Sequence, residues 1–149
     1  METPITNNLI VELHVPDFAP IKSFYSQLGF EIISEDEKSS NYPGYLVLSR
    51  KDPLGNSILN FYGDDDRVFN QSYFKKFPRD TMRGYAVEFT ISTSDLDTLY
   101  AHVQKHLSAN IMRGLQTLKD DNREWRDFRM ADPYGYYLRF TDLLDWGQS

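Results

Sequence analysis

Glu12 and Glu88 are the carboxylates best placed for chemistry, because each lies in an alternating stretch with its side chain opposite the apolar residues. A carboxylate in such a position suits proton transfer once its surroundings shift its pKa. His14 shares the parity of Glu12 and stands near the end of the same stretch. His102 and His106 are spaced i,i+4, which is compatible with a metal on a helix. Leu99, Tyr100 and Val103 claim the buried face of that segment, however, and no carboxylate partner is specified, so solvated histidines are expected. Asp64-Asp65-Asp66 lacks the alternating ligands and distal Glu of a calcium loop. Like Glu35-Asp36-Glu37, it reads as a solvated acidic turn. No Gly-x-Ser-x-Gly, phosphate-cradling glycine loop or dinucleotide fingerprint occurs. The absence of cysteine removes thiolate nucleophiles, disulfides and Cys-based zinc sites.

Composition narrows the partners. The chain has 149 residues, of which 40% are hydrophobic and 26% charged, as in a folded globular domain. A net charge of −6 argues against nucleic acid and is electrostatically favourable for a cationic small molecule. No apolar run approaches the ~20 residues of a membrane span, and residues 1–4 carry no basic segment ahead of an apolar one. A cytoplasmic protein without membrane partners is the expectation. Aromatics reach 15%, with 10 Tyr and 10 Phe, enough to fill a β-rich core or to line a cavity.

The elements that must position these residues come twice. Asp52-Pro53-Leu54-Gly55 and Asp132-Pro133-Tyr134-Gly135 lie 80 residues apart, and each leads into an apolar run. Upstream, the alternating stretch 9–15 followed by Asp17 is echoed by 85–91, 76 residues later, followed by Asp95, 78 residues after Asp17. A nearly constant offset at two landmarks indicates an internal duplication. Leu9, Val11, Leu13 and Val15 fall on one strand face, with Ile10, Glu12 and His14 on the other. Asp17 is a suitable N-cap, Pro20 fits a first turn and Gly29 fits a C-terminal stop. Ile21, Phe24, Tyr25 and Leu28 then make one helical stripe. Strands are expected at 30–34, 45–50 and 57–62. In the second half Ser94-x-x-Asp97 resembles a capping box, Leu96, Leu99, Tyr100 and Val103 form the stripe, and strands are expected at 112–116, 125–131 and 136–141. Residues 63–83 read as the connection, with a short helix around 71–77.

The expected fold class is therefore α+β: a first βαβββ module over about 8–63, a linker over 64–83, and a second module over about 84–142 of one domain. Each helix covers one face of its sheet. The other face must meet the opposite half, a second chain or a ligand, and two such faces together would form a cup.

A paired βαβββ chain with Val15-Pro16-Asp17, Phe24-Tyr25-x-x-Leu28-Gly29-Phe30 and two Asp-Pro-x-Gly turns resembles the vicinal oxygen chelate superfamily. That superfamily includes glyoxalase I, extradiol dioxygenases and the fosfomycin- and bleomycin-resistance proteins, and the resemblance covers about 8–142. Leu96-Asp97-x-Leu99-Tyr100 and Trp125 ahead of the second Asp-Pro-x-Gly look like the bleomycin-resistance branch. Enzymes of the superfamily hold a metal on the first and last strands of each half. On this chain those positions are Ile10, Leu59 or (should a bulge shift the register) Asn60, Glu88 and Arg139. One carboxylate, a guanidinium and at least one hydrocarbon do not make a divalent-cation shell, so no metal and no other cofactor is expected.

The resemblance implies a homodimer, intertwined or with modules exchanged, that binds a bulky cationic, aromatic-containing antibiotic of the bleomycin type at interface grooves without catalysing a reaction. The ligand-binding candidates are Trp125, Glu88, Arg139, Glu12, His14, Phe61, Tyr137 and Phe128, with Tyr62 and Tyr42 as further wall and rim positions. Glu88 and Arg139 should pair, either to stabilise the sheet or to recognise ligand. The alternative function is a glyoxalase- or dioxygenase-like enzyme with an atypical metal site.

Overall fold

The computed structural model describes residues 9–147; Asn8 and residues 1–4 lie outside them. The first half runs β1 (Glu12–His14), α1 (Ala19–Ser26), β2 (Phe30–Asp36), β3 (Tyr45–Asp52) and β4 (Gly55–Tyr62). The connection contains α2 (Asp65–Asn70) and a 3-10 turn (Phe74–Lys76). The second half repeats the order as β5 (Glu88–Ser92), α3 (Leu96–His106), β6 (Ile111–Lys119), β7 (Glu124–Ala131) and β8 (Tyr137–Thr141). Each half is one mixed sheet, ordered β1-β4-β3-β2 or β5-β8-β7-β6, with its first strand parallel to its last. The architecture is α+β, built from two βαβββ units, as the duplication predicts. No helix among the described residues is long and apolar enough to cross a membrane.

Alternation explains the core. Leu13, Leu46, Leu48, Leu59 and Phe61 turn to the helix side of the first sheet, and Ile91, Phe128, Met130, Leu138 and Phe140 do so in the second. They join Ile21, Phe24 and Tyr25 of α1 and Leu96, Leu99 and Val103 of α3 in one continuous cluster. Fully burying each such side chain contributes roughly 1.5–3 kcal/mol. This packing also corrects two site expectations. Phe61 and Phe128 are both 0% exposed, stacked among core aromatics, and so do not wall a cup.

The repeated Asp-Pro-x-Gly turns act as reciprocal latches between the halves. Asp52 accepts hydrogen bonds from the Ser94 N–H, the Ser94 hydroxyl and the Thr93 hydroxyl, at the entry to α3. Asp132 accepts one from the Tyr25 hydroxyl of α1 at 2.9 Å. Beside the first latch, Arg50 is only 5% exposed and reaches the Leu28 carbonyl, Thr93 and Asp95. Ser94 is thus committed across the interface, and the capping box does not form: Asp95 takes the cap position, and Asp97 binds Arg126 instead.

Four further expectations change. β1 is shorter than its alternating stretch, because Leu9 and Ile10 extend past the last pairing with β4, and Leu9 is 80% exposed. β5 starts only at Glu88. Gly84 (φ +67) and Ala86 (φ +61) hold the chain before it in the left-handed region, leaving Tyr85 77% exposed and Val87 exposed as well. The linker helix forms over Asp65–Asn70 rather than 71–77, because the Asp64 side chain caps the Asp66 N–H and two acidic residues follow in the first turn. The acidic run is therefore a helix start, not a free turn.

The last change concerns Leu59. The second hairpin closes with Ala131 opposite Tyr137, one turn residue more than the first, where Lys51 faces Asn56. One extra residue reverses strand parity. Asn60, not Leu59, therefore shares the helix-free face with Glu12, its neighbour on β1.

Candidate functional site

Glu12 and His14 of β1 stand beside Asn60 and Tyr62 of β4 and Tyr45 of β3 on the helix-free face of the first sheet. The Tyr45 hydroxyl donates to Glu12 Oε1 and accepts from Asn60 Nδ2 at 2.7 Å. Burial, together with that carboxylate, pushes the Tyr45 phenol up to about 12. The His14 ring stacks on Tyr62 at 5.5 Å, and Tyr62 meets Tyr45 and Tyr42 edge-on. Burial lowers the His14 pKa, with Glu12 opposing and Arg83 and Arg67 adding to the effect. The net effect favours the neutral imidazole. Around Glu12 this face presents aromatic rings, and Glu31 and Asp36 of β2, opposite Ser49 and Tyr45, fall on the same side.

The second face is built from guanidinium–carboxylate contacts. Asp127 of β7 is 0% exposed, although it points to the helix-free side. Arg139 Nε donates to its Oδ2 at 2.8 Å, Gln116 Nε2 donates to its Oδ1 at 3.2 Å, and Arg129 lies 3.9 Å away. Arg129 also binds Glu88 at 2.6 Å. Glu88 and Arg139, expected to pair directly, are 3.9 Å apart, and each has a nearer partner. Trp125 lies farther along β7 with the Arg123 guanidinium 5.5 Å from its ring. Trp146 lies over Arg139 at 5.7 Å. A cleft of about 580 Å³ opens at the edge of this face, lined by Tyr85, Val87, Glu88, Met112, Ala131 and Tyr137.

The expected site residues thus divide into three groups. Glu12 and His14 lie on the first helix-free face, and Trp125, Glu88, Arg139 and Tyr137 lie on the second. Phe61 and Phe128 lie in the core. Among the described residues no hydrogen bond or ion pair joins side chains of the two free faces. Asp127, Arg129 and Trp146 were missed by sequence reasoning. The first two carried a signal, because Trp125, Asp127 and Arg129 alternate with the apolar Phe128 and Met130. Trp146 follows the last strand and belongs to no periodic pattern.

A divalent cation does not fit the positions where the superfamily's enzymes hold one. Ile10 offers hydrocarbon, Asn60 offers at most one neutral amide oxygen, and the charge of Arg139 stands between Glu88 and Asp127. Among the described residues no three His, Cys, Asp or Glu side chains converge.

No family model and no curated protein matches the sequence. Solved structures do. A bleomycin-binding protein complexed with bleomycin aligns with a TM-score of 0.53 at 19% identity, covering 93% of this chain and 100% of that one. A glyoxalase/bleomycin resistance protein/dioxygenase from Alicyclobacillus acidocaldarius aligns at 0.52 and 22% identity, covering 92% and 93%. A glyoxalase family protein from Enterococcus faecalis aligns at 0.56 and 19%, covering 91% and 97%. The likeness establishes the fold, a paired βαβββ fold shared with these bleomycin-binding and glyoxalase-type structures.

Proposed function

We propose that this chain is a small-molecule binding protein that sequesters a bulky, cationic, aromatic-containing compound of the bleomycin type. It does so as a homodimer, in grooves formed by the first free face of one copy and the second free face of the other. The observation that carries this reading is a set of buried polar atoms without partners. Four of the five such atoms among the described residues, His14 Nδ1, Asn60 Oδ1, Trp125 Nε1 and Arg129 Nε, lie on the free faces, and the fifth, Arg50 Nη1, lies 3.6 Å from Asp52 between the halves. Such atoms are rare in folded proteins because each forfeits its hydrogen bond with water. Here a small rotation of each side chain would bring its atom to a ligand or an apposed face. Exposed apolar side chains at the sheet edges, Ile10, Tyr85, Val87 and Met112, suit the same closure.

In the groove Trp125 and Tyr137 offer stacking surface, and Glu12 and Glu88 attract the cation. Arg139 and Arg129 fix the orientation of Glu88, and sequestration requires no bond to be made or broken. The bleomycin-binding neighbour supports the ligand class, and the net charge of −6 supports the cation.

Titration calorimetry with metal-free bleomycin should show one ligand per chain, and Trp125→Ala should weaken binding at least about tenfold, or 1.4 kcal/mol. Sedimentation should give about twice the 17.5 kDa chain mass. Absence of both binding heat and thermal stabilisation with bleomycin and related cationic glycopeptides would reject the reading.

A further inference from the structure

We propose that the segment joining the two modules builds a second binding site, within a single chain, for a compact aromatic ammonium compound. This rests on the chain being a small-molecule binder, but neither on a dimer nor on the face that carries Trp125.

A cavity of about 520 Å³ lies between β1 and the connecting segment, walled by Glu12, His14, Tyr73, Phe74, Phe77 and Tyr85. Its size lies within the range of small-molecule pockets and suits a compound of two or three rings. The connecting wall is tied down. Arg83 donates to the His14 carbonyl at 3.0 Å and to Asp65 of α2, and the Tyr136 hydroxyl donates to the same carbonyl at 2.7 Å. Gly84 runs so close to Tyr136 that a Cβ would approach its ring to 2.8 Å.

The rings of this wall are presented rather than buried. Tyr73 is 56% exposed, Phe77 47% and Phe74 37%, and Phe74 meets the His14 ring edge-on at 5.9 Å. A segment that only had to join β4 to β5 would not hold three aromatic side chains in water around a cavity.

The charge around the cavity selects the ligand's sign. Asp65 neutralises Arg83, and Asp66 neutralises Arg79. Glu12 uses one oxygen for Tyr45 and keeps the other free of partners among the described residues. Arg67 over Tyr62 and Lys76 over Tyr73 stand outside the cavity lining, whereas Glu12 lines it and sets an oxygen without a partner beside aromatic rings, an arrangement that favours an ammonium group on an aromatic body.

Three fluorescent probes of one shape test the idea: 2-naphthylmethylammonium, neutral 2-naphthalenemethanol and anionic 2-naphthoate. The cation should bind tightest and the anion weakest, about tenfold apart. Glu12→Gln should reduce the cation's advantage over the neutral probe by up to about fivefold, as for a partly exposed ion pair. It should leave the neutral probe unchanged. Phe74→Ala and Tyr73→Ser should each weaken all three probes, with melting curves reporting that the fold is kept. Trp125→Ala should leave the probes unaffected while weakening bleomycin, which separates this site from the proposed groove. Equal affinity for the three probes, full binding by both aromatic variants, or loss of probe binding in Trp125→Ala would overturn the proposal.

Discussion

Replacing Arg139 by Met should destabilise the protein by about 3 kcal/mol, the lower end of what breaking a buried ion pair costs. The figure follows from what the change leaves behind. Asp127 is 0% exposed and loses its 2.8 Å partner, while Gln116 and the more distant Arg129 remain to solvate it in part. Asp127→Asn removes the charge but keeps the acceptor oxygen, leaving Arg139 near Glu88 at 3.9 Å, and should cost about 2 kcal/mol. The double variant has neither charge stranded, so the two changes should couple by about 1–3 kcal/mol. Glu88 is different: its side chain is 30% exposed and Arg129 holds it, so its coupling with Arg139 should stay below about 0.5 kcal/mol. Urea unfolding at one fixed protein concentration measures all four corners of each cycle. A Glu88–Arg139 coupling as large as that of Asp127–Arg139, or an Arg139→Met variant of unchanged stability, would refute this account of the second face.

Three further outcomes are expected. The aspartates of the two repeated turns should titrate in opposite directions. Burial raises the Asp52 carboxyl but is outweighed by the Leu54 and Ser94 N–H donors, so its pKa is lowered, whereas burial prevails at Asp132 and raises it. Asp52 therefore contributes stability above the ordinary carboxylate range that is lost as pH falls through its depressed value, while Asp132 costs stability at neutral pH that is regained as it protonates. Carboxyl carbon NMR should show Asp132 protonating first and Asp52 last; the reverse order would contradict the latch geometry. Gly84→Ala, placing a side chain at φ +67 against a buried ring, should cost roughly 1–3 kcal/mol in urea unfolding, and a neutral result would show that the linker is not held there. Ultraviolet titration should find the Tyr45 phenol ionising near 12, and Glu12→Gln should lower it, because burial and then the Glu12 hydrogen bond raise it.

Much of the fold was legible because the two periods were clear. Val11, Leu13 and Val15 alternate, Ile21, Phe24 and Tyr25 recur at helical spacing, and the structure buries or half-buries them as the pattern requires. The sequence leaves Leu59 and Asn60 as alternatives for the free face because a single added residue in the second turn reverses parity, and turn length does not follow from a shared Asp-Pro-x-Gly. Phe61 and Phe128, candidates for the cup wall or the core by type alone, share the parity of Leu59 and Met130 and lie in the core. The latches were out of reach: Ser94 meets Asp52 across 42 residues and Tyr25 meets Asp132 across 107, separations at which no local pattern operates.

The latches also explain why the two halves are alike on one side and unlike on the other. Each half must present its turn aspartate and its helix to the opposite half, so the helix-covered faces are bound by a shared geometry. Among the described residues no hydrogen bond or ion pair joins side chains of the two free faces, and nothing holds them to a common chemistry. One became a phenol–carboxylate–amide chain among tyrosines, the other a guanidinium clamp around a buried aspartate. On the proposed function, the two unlike faces would form a complete groove only when brought together. A twofold dimer would pair them twice, making two identical grooves. In such a groove a ligand meets Glu12 and His14 on one wall and Glu88 and Trp125 on the other. A substitution on either wall must then weaken both grooves equally, without changing the number of ligands bound.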